Sequence, residues 1–167
     1  MQIKFGELKI GEIARNHIMD CINSNNITMG QKVFMFEQKW KSIFGYKYTR
    51  LMSSGTSAVT ASCMSLYGMG LAPHDEILCP SLSFIATANA IRMSNFCVKF
   101  VDIKRETLNI NEDLIESNIG PKTRAIVVVN TMGRPCELDV IKSIARKHGL
   151  FIIVDGCESY GCKYKGK

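Results

Sequence analysis

Leu150-Phe-Ile-Ile-Val-Asp-Gly-Cys-Glu-Ser-Tyr-Gly161 is the stretch that decides the fold, because a run of apolar residues leads into Asp155 without polar alternation. Such a run predicts a strand buried on both faces of a sheet. An acid at the end of that strand lies at the carboxyl edge of the sheet, where open α/β folds place their ligand crevices. Asp155 is therefore a candidate for chemistry. The alternative is that it only caps the turn that follows.

Upstream of this stretch, strand-like and helix-like segments alternate. The predicted strands cover residues 48–52, 76–79, 98–101 and 125–129. The predicted helices cover residues 7–24, 33–44, 58–67, 86–94, 111–117 and 137–148. Alternation with short loops predicts the α/β class, with a mostly parallel sheet flanked by helices on both faces. No internal repeat or linker divides the chain, so we expect one domain.

The composition is that of an ordinary globular protein, with 46% hydrophobic and 22% charged residues among 167. No apolar run reaches the ~18 residues of a membrane span, and the amino terminus lacks a signal peptide's apolar segment. We therefore expect a cytoplasmic protein that does not bind membranes. The formal charge of +6 permits an anionic partner. Basic residues are interspersed with acids, however, and form no stripe with interleaved aromatics, so no nucleic-acid surface is expected.

Seven cysteines are scattered through apolar segments without a C-x-x-C pair. In a chain without a secretion signal, they are expected to be reduced and mostly buried. The three histidines, His17, His74 and His148, lie far apart in sequence. We therefore predict no metal site.

Three predicted strand-to-helix junctions carry unusual residues. Ser54-Gly-Thr-Ser57 combines hydroxyls, a glycine and the N–H groups of a helix start, which suit a phosphate but also serve as an ordinary N-cap. Phe84 brings an aromatic ring to the next junction, unless it belongs to the core. Asp155, with Glu158 three residues later, forms the third. A phosphate site, a flat ring and a carboxylate together match the needs of pyridoxal phosphate.

Six segments in order resemble the DegT/DnrJ/EryC/StrS family of sugar-nucleotide aminotransferases, which are fold-type I enzymes that use pyridoxal phosphate. The segments are Thr28–Val33 with Phe36-Glu37, Ser54–Ala58, Pro80–Ile91, Phe100–Asp102 with Thr107–Ile110, Gly133-Arg-Pro135, and Asp155–Gly161 with Tyr164-Lys-Gly166. They cover nearly the whole chain, and the series is far more specific than any one of its members.

The resemblance implies roles for individual residues. Gly55, Thr56 and Ser57 match positions that bind the cofactor phosphate. Phe84 matches the ring that stacks on the cofactor, and Asp155 matches the acid that pairs with the pyridinium nitrogen.

Glu158 matches a position usually held by Gln, His or an acid on the ring-oxygen side of the cofactor, and its hydrogen-bonding role stays open. Asn130 stands where many members have His, so no role is carried to it. The lysine that forms the Schiff base in the family lies beyond Lys167, so we expect no catalytic residue within these positions. Lys163, Lys165 and Lys167 do not match it and are expected to be solvated.

The resemblance implies that residues 1–167 are the amino-terminal portion of the pyridoxal-phosphate-binding large domain, without the rest of that domain or the carboxyl-terminal small domain. The parent enzyme would move an amino group from glutamate to a nucleotide-linked keto-sugar and would act as a homodimer. The chain alone is expected to be inactive, with weak or absent cofactor binding and an exposed apolar sheet edge. The alternatives are a fragment of a related sugar 3-dehydratase, in which His replaces the lysine, and a non-catalytic half-length homologue.

Overall fold

The computed structural model describes residues 8–166, which divide into two compact units, one ending at Leu51 and the other beginning at Met52. The first unit contains helix α1 (Glu12–Asn23) and helix α2 (Gln31–Phe44). Helix α2 ends at Gly45, whose φ of 68° is the left-handed conformation that glycine adopts at little cost. Both helices were predicted, although α1 begins later than expected.

The aromatic stripe of α2 packs chiefly on itself. The rings of Phe36 and Trp40 lie 5.4 Å apart, and those of Trp40 and Phe44 lie 4.7 Å apart. Ile43 on the same stripe is exposed, and no residue of α1 is buried. The apolar residues of this unit are thus only partly removed from water.

The strand predicted at residues 48–52 is wrong, because this segment is irregular. Its backbone bonds to a side chain instead of to a neighbouring strand. The Leu51 N–H donates to Glu37 Oε1 at 2.8 Å, and Arg50 pairs with the other oxygen of the same carboxylate at 3.1 Å. Glu37 is buried, so this local carboxylate provides the partner that a sheet would otherwise supply.

The second unit is an α/β layer structure whose helices and strands alternate as predicted. Its elements are α3 (Gly55–Ser65), β1 (Glu76–Pro80), α4 (Ile85–Met93), β2 (Cys97–Val101), α5 (Glu112–Ile115), β3 (Thr123–Val129), α6 (Leu138–His148) and β4 (Phe151–Asp155). The strands pair in the order β2-β1-β3-β4, and every pairing is parallel. The predicted mostly parallel sheet flanked by helices is confirmed.

The carboxyl ends of the strands meet at one edge of the sheet. In the register, Pro80 of β1 lies beside Val101 of β2, and Val129 of β3 lies beside Asp155 of β4. The turns that follow the strands therefore share this edge, where parallel α/β sheets place ligands.

Alternate residues of β1 and β3 pack on opposite faces, and each face has its own apolar cluster. Ile77 and Val127 belong to a cluster with residues of α3 and α4. Leu78 and Ile126 belong to a second cluster with residues of α5 and α6. The period of two along each central strand thus supplies both layers of the core.

Strand β4 is not buried on both faces, contrary to the prediction from its apolar run. It lies at the edge of the sheet, where Phe151 is 37% exposed and Val154 is 47% exposed. Because these two residues are three apart in a strand, they point to opposite faces, so both faces of β4 keep apolar surface in water. The run of apolar residues is that of an interior strand, but the described chain places it at an edge.

The cysteines are less buried than the sequence suggested. Only three of the seven are buried, and the exposed ones are Cys97, Cys157 and Cys162. Cys97 begins the edge strand β2, and the other two lie in the irregular segment after β4. Apolar neighbours in sequence did not reveal that these positions lie outside the sheet core.

Within residues 8–166, no three His, Cys, Asp or Glu side chains are grouped so that they could hold a metal ion. None of the helices in this described range is both long and apolar enough to cross a membrane.

Candidate functional site

The residues predicted to bind a phosphate lie in the first turn of α3. Ser54 is the N-cap residue, and its hydroxyl accepts the Ser57 N–H at 3.1 Å. The Ser57 hydroxyl lies 3.1 Å from that of Ser53 and 3.0 Å from that of Ser54. Gly55 and Thr56 begin the helix, where backbone N–H groups have no partner within the helix and favour an anion. Ser54 thus acts as an ordinary N-cap, as the alternative interpretation predicted. Its hydroxyl takes the Ser57 N–H, so the N–H groups of Gly55 and Thr56 are the ones that a phosphate could use.

A close contact joins this helix start to the end of β4. A Cβ built on Gly55 would lie 2.7 Å from Cys157 Sγ, a separation that real Cβ atoms do not show. A residue with a side chain would fit here only if the Cys157 thiol moved, because the thiol occupies that space. The sequence predicted that α3 follows a strand at residues 48–52, but no such strand exists. The start of α3 lies at the carboxyl edge of the sheet because it contacts Cys157, just after β4.

Phe84 is the N-cap residue of α4 and follows the turn after β1. Its side chain is 69% exposed, so the alternative that Phe84 belongs to the core is wrong. A large aromatic ring that stays in water at the ligand edge of a parallel sheet is available to stack on a flat ligand.

Asp155 ends β4 and is 7% exposed. Thr87 of α4 donates its hydroxyl to Asp155 Oδ2 at 2.8 Å, and the Cys157 N–H donates to Oδ1 at 3.1 Å. Because Asp155 lies two residues after Ile153, it points to the sheet face covered by α3 and α4. The turn-cap alternative describes the bond from Cys157, but it does not account for the buried bond from a helix 68 residues away.

Two thiols near Asp155 stay protonated. The hydrogen bond of the Cys157 thiol to Asp155, together with burial, raises the pKa of Cys157 to about 11. Burial is the main cause that raises the pKa of Cys79 to about 12, and the nearby Cys63 and Asp155 add to it. The surroundings of the Asp155 carboxylate are therefore neutral donors and neutral thiols.

Glu158 bonds to the loop that follows β3. Its Oε2 accepts the Met132 N–H at 2.7 Å. Met132 is exposed and has a φ of 54°, an uncommon conformation for a residue with a side chain. The glutamate therefore holds a strained turn at the carboxyl edge, a role that the sequence did not indicate.

Buried amides secure the same loop. Asn109 accepts the Thr131 N–H at 2.9 Å and donates to the Arg134 carbonyl at 3.0 Å. Asn130 accepts the Cys136 N–H at 3.0 Å and donates to the Ser159 hydroxyl at 3.2 Å. The sequence offered no role for either asparagine, because their partners are distant backbone groups that become neighbours only in the fold.

The structure brings some of the predicted residues together directly and relates others through shared elements. Gly55 and Asp155 are linked by Cys157, which contacts the first and bonds to the second. Phe84 is one helical turn from Thr87, the residue that bonds to Asp155. Thr87 is absent from the predicted site, although it lies within a segment that carries the family resemblance.

The second unit belongs to the parallel α/β class. The carboxyl edge of its sheet carries a helix start, an exposed aromatic ring and a buried carboxylate, an arrangement typical of ligand-binding domains. The sequence model of the DegT/DnrJ/EryC1/StrS aminotransferase family matches residues 9–167, and the chain belongs to this family. The family predicted from the six segments is confirmed.

Relatives within the family include two enzymes that act on GDP-sugars. The GDP-4-keto-6-deoxy-D-mannose 3-dehydratase of Yersinia pseudotuberculosis is 36% identical over 91% of this chain and 39% of its own length. The GDP-perosamine synthase of Caulobacter vibrioides is 32% identical over 92% of this chain and 41% of its own length. The chain therefore spans about two fifths of the length of these relatives.

A solved structure with the same fold is the E. coli GDP-4-keto-6-deoxy-D-mannose-3-dehydratase with bound hydrated PLP. It superposes with a TM-score of 0.90 at 30% identity, over 96% of this chain and 42% of that one.

Proposed function

We propose that residues 1–167 form the amino-terminal portion of the cofactor-binding large domain of an enzyme that uses pyridoxal phosphate to modify a nucleotide-linked keto-sugar. The observation that carries the proposal is Asp155, a buried carboxylate with neutral donors on both oxygens. A buried carboxylate favours a cationic partner, because hydroxyl and amide donors do not supply charge. The protonated ring nitrogen of a pyridine cofactor is such a partner.

The remaining roles follow from position along the same edge. The first turn of α3 binds the phosphate through the N–H groups of Gly55 and Thr56 and through the hydroxyls of Thr56 and Ser57. Phe84 stacks on the ring, since its side chain is exposed at the start of α4. When bound, pyridoxal phosphate supplies an electron sink for chemistry at an amino-bearing carbon, while these residues bind and orient it.

Glu158 is assigned to the ring-oxygen side of the same cofactor. Its bond to Met132 supports a double role, in which one carboxylate oxygen secures the loop after β3 while the side chain stays at the edge of the site. The loop would then form part of the wall on that side.

The reaction we favour is amino transfer from glutamate to the keto-sugar by a homodimeric parent enzyme. The second candidate is a sugar 3-dehydratase, because one relative with that activity is 36% identical and a solved structure with that activity has a TM-score of 0.90. By family resemblance, the residue that separates the two is a lysine or a histidine located past Lys167.

The cofactor assignment is tested by binding of pyridoxal phosphate to the 167-residue chain and to two matched variants. Asp155→Asn and Asp102→Asn each remove one carboxylate at the carboxyl end of a parallel strand, but Asp102 accepts bonds from Ile103 and Ser81 and is not part of the proposed site. We expect weak binding by the wild type, at least tenfold weaker binding by Asp155→Asn, and no change for Asp102→Asn. Equal binding by both variants would refute the assignment of Asp155.

The activity proposal predicts that this chain alone transfers no amino group from glutamate, because the resemblance places the covalent lysine past Lys167. After incubation with pyridoxal phosphate and borohydride, peptide mapping should find no single lysine that carries the cofactor in preference to the other exposed lysines. One lysine labelled stoichiometrically, with a borohydride-reducible chromophore near ~420 nm as expected for a specific Schiff base, would contradict this.

A further inference from the structure

Thr87 is a buried hydroxyl with an unusual partner for a helical threonine. Threonine and serine within helices commonly donate to the carbonyl three or four residues earlier. Thr60 bonds to the Thr56 carbonyl at 2.8 Å and Ser62 to the Ala58 carbonyl at 2.9 Å in this way. Thr87, which is 0% exposed, instead donates to Asp155 Oδ2 at 2.8 Å. Its hydroxyl is directed to a functional candidate rather than to its own helix.

The bonds to Asp155 leave room for further donors. A carboxylate has about four lone-pair sites. The Thr87 hydroxyl donates to Oδ2, and the Cys157 N–H donates to Oδ1. Both donors are neutral, and within residues 8–166 no Lys, Arg or His forms an ion pair with Asp155. Because both oxygens are anchored, the carboxylate is held in one orientation with lone pairs available to a cation.

We propose that Thr87 is a positioning residue that turns the Asp155 carboxylate toward the ring nitrogen of the bound cofactor, an inference that rests on the proposed function. The Thr87 N–H also bonds to the Phe84 carbonyl at 3.0 Å, so one turn of α4 carries both the stacking ring and the hydroxyl that orients the acid. The first turn of α4 therefore sets the two groups that contact the cofactor ring relative to each other.

Two variants separate the hydroxyl from the shape of the side chain. Thr87→Val keeps the shape and removes the donor, whereas Thr87→Ser keeps the donor and removes a methyl group. The first measurement needs no cofactor: three-bond NMR couplings report the side-chain rotamer of Asp155. We expect a single rotamer in the wild type and in Thr87→Ser, and averaging in Thr87→Val. A wild-type rotamer in Thr87→Val would overturn the inference.

The second measurement compares two ligands of the 167-residue chain. Pyridoxamine 5′-phosphate carries the ring nitrogen, and its 1-deaza analogue has a C–H in that place. Thr87→Val should bind pyridoxamine 5′-phosphate about tenfold more weakly than Thr87→Ser does, the factor equivalent to 1.4 kcal/mol, and should bind the deaza analogue equally well. Equal loss for both ligands would show that Thr87 is only structural and would overturn the positioning role.

Failure of this inference and failure of the proposed function give different results. If the cofactor assignment itself is wrong, Asp155→Asn and Asp102→Asn bind pyridoxal phosphate equally. If only the role of Thr87 is wrong, those two variants differ, while Thr87→Val either matches Thr87→Ser in rotamer and in affinity or loses affinity equally for both ligands.

Discussion

Replacing Gly55 by alanine should destabilise the fold by forcing the start of α3 and the end of β4 apart. The new Cβ would lie 2.7 Å from Cys157 Sγ. Non-bonded heavy atoms are comfortable at about 3.5–4.0 Å, so the contact is short by about 1 Å. Rotation of the thiol would relieve the contact, but it would move the sulfur away from the Asp155 carboxyl group that is the main cause of its raised pKa.

The magnitude is the balance of two opposing effects. Overpacking of this kind costs about 1–3 kcal/mol. Alanine gains up to about 1 kcal/mol over glycine inside a helix, and less at its first residue. The net loss should be about 1–2 kcal/mol of unfolding free energy, which changes the folded-to-unfolded ratio by a factor of roughly 5–30. The displaced thiol would also disturb the carboxylate of Asp155.

Urea denaturation of the single and double variants measures this effect. In a Cys157→Ala background the nearest atom would be the Cβ of residue 157 at 4.0 Å, an ordinary contact, so the penalty of Gly55→Ala should vanish. Gly68→Ala is the matched control, since a Cβ there meets nothing within 4 Å. A penalty that persists without the thiol, or a loss in Gly68→Ala as large as that in Gly55→Ala, would refute the reasoning.

Cysteine labelling, the ion pair of Glu116 and the exposed apolar surface of β4 each allow a further test. A thiol reagent at pH 8 should modify the exposed Cys97 and spare Cys79 until the chain unfolds, because burial raises the pKa of Cys79 to about 12. Mass spectrometry of the labelled protein measures this. Labelling of Cys79 in the folded chain would contradict the prediction. Hydrogen bonds from His148 and Lys147, at the end of α6, lower the pKa of Glu116 from 4.5. The stabilisation that the Glu116 carboxylate gives the fold is therefore present above pH 4.5 and is lost as the pH falls through the lower folded pKa. The melting temperature of the wild type should exceed that of Glu116→Gln at pH 7, and this difference should shrink below pH 4.5 and with added salt. A difference that grows in acid would be inconsistent with this ion pair. Val154→Lys should reduce self-association and hydrophobic-dye binding, because β4 exposes apolar surface at a sheet edge. Met69→Lys, an equally drastic change outside the sheet, should have a smaller effect. Light scattering that is unchanged by Val154→Lys would argue against association through β4.

The sequence predicted the alternation of strands and helices in the second unit because each of its elements has a clear local pattern. The β-branched run before Asn130 and the apolar stripe ended by Gly149 are examples. The segment at 48–52 has a similar local pattern, but its backbone found a partner in the buried Glu37 carboxylate. A side chain 14 residues away is not visible in a local pattern, so the strand was wrongly predicted.

Burial along β4 could not be predicted, because hydrophobicity does not specify how many neighbours a strand has. The same apolar run suits an interior strand and the edge strand that the described chain contains. The exposed cysteines were missed for a related reason, since exposure depends on which segments lie outside the layers.

The candidate site was predictable where residue type alone limits the chemistry. An acid after an apolar strand and a glycine between a serine and a threonine are visible in a sequence, and Asp155 and Gly55 were predicted in this way. Thr87 was not, because a threonine in a helix ordinarily bonds to its own backbone. Only the fold shows that its hydroxyl reaches the carboxylate instead.

The Cys157 thiol, which lies against the start of α3, is a weak nucleophile because its pKa is raised. With a pKa of about 11, this thiol carries a negative charge in only about one molecule in ten thousand at pH 7. The thiolate is the form that attacks aldehydes, disulfides and oxidants. The chain can therefore keep a sulfur atom against the start of α3 without placing a reactive nucleophile there, and the neighbouring Asp155 carboxyl group is the main cause that keeps the sulfur protonated.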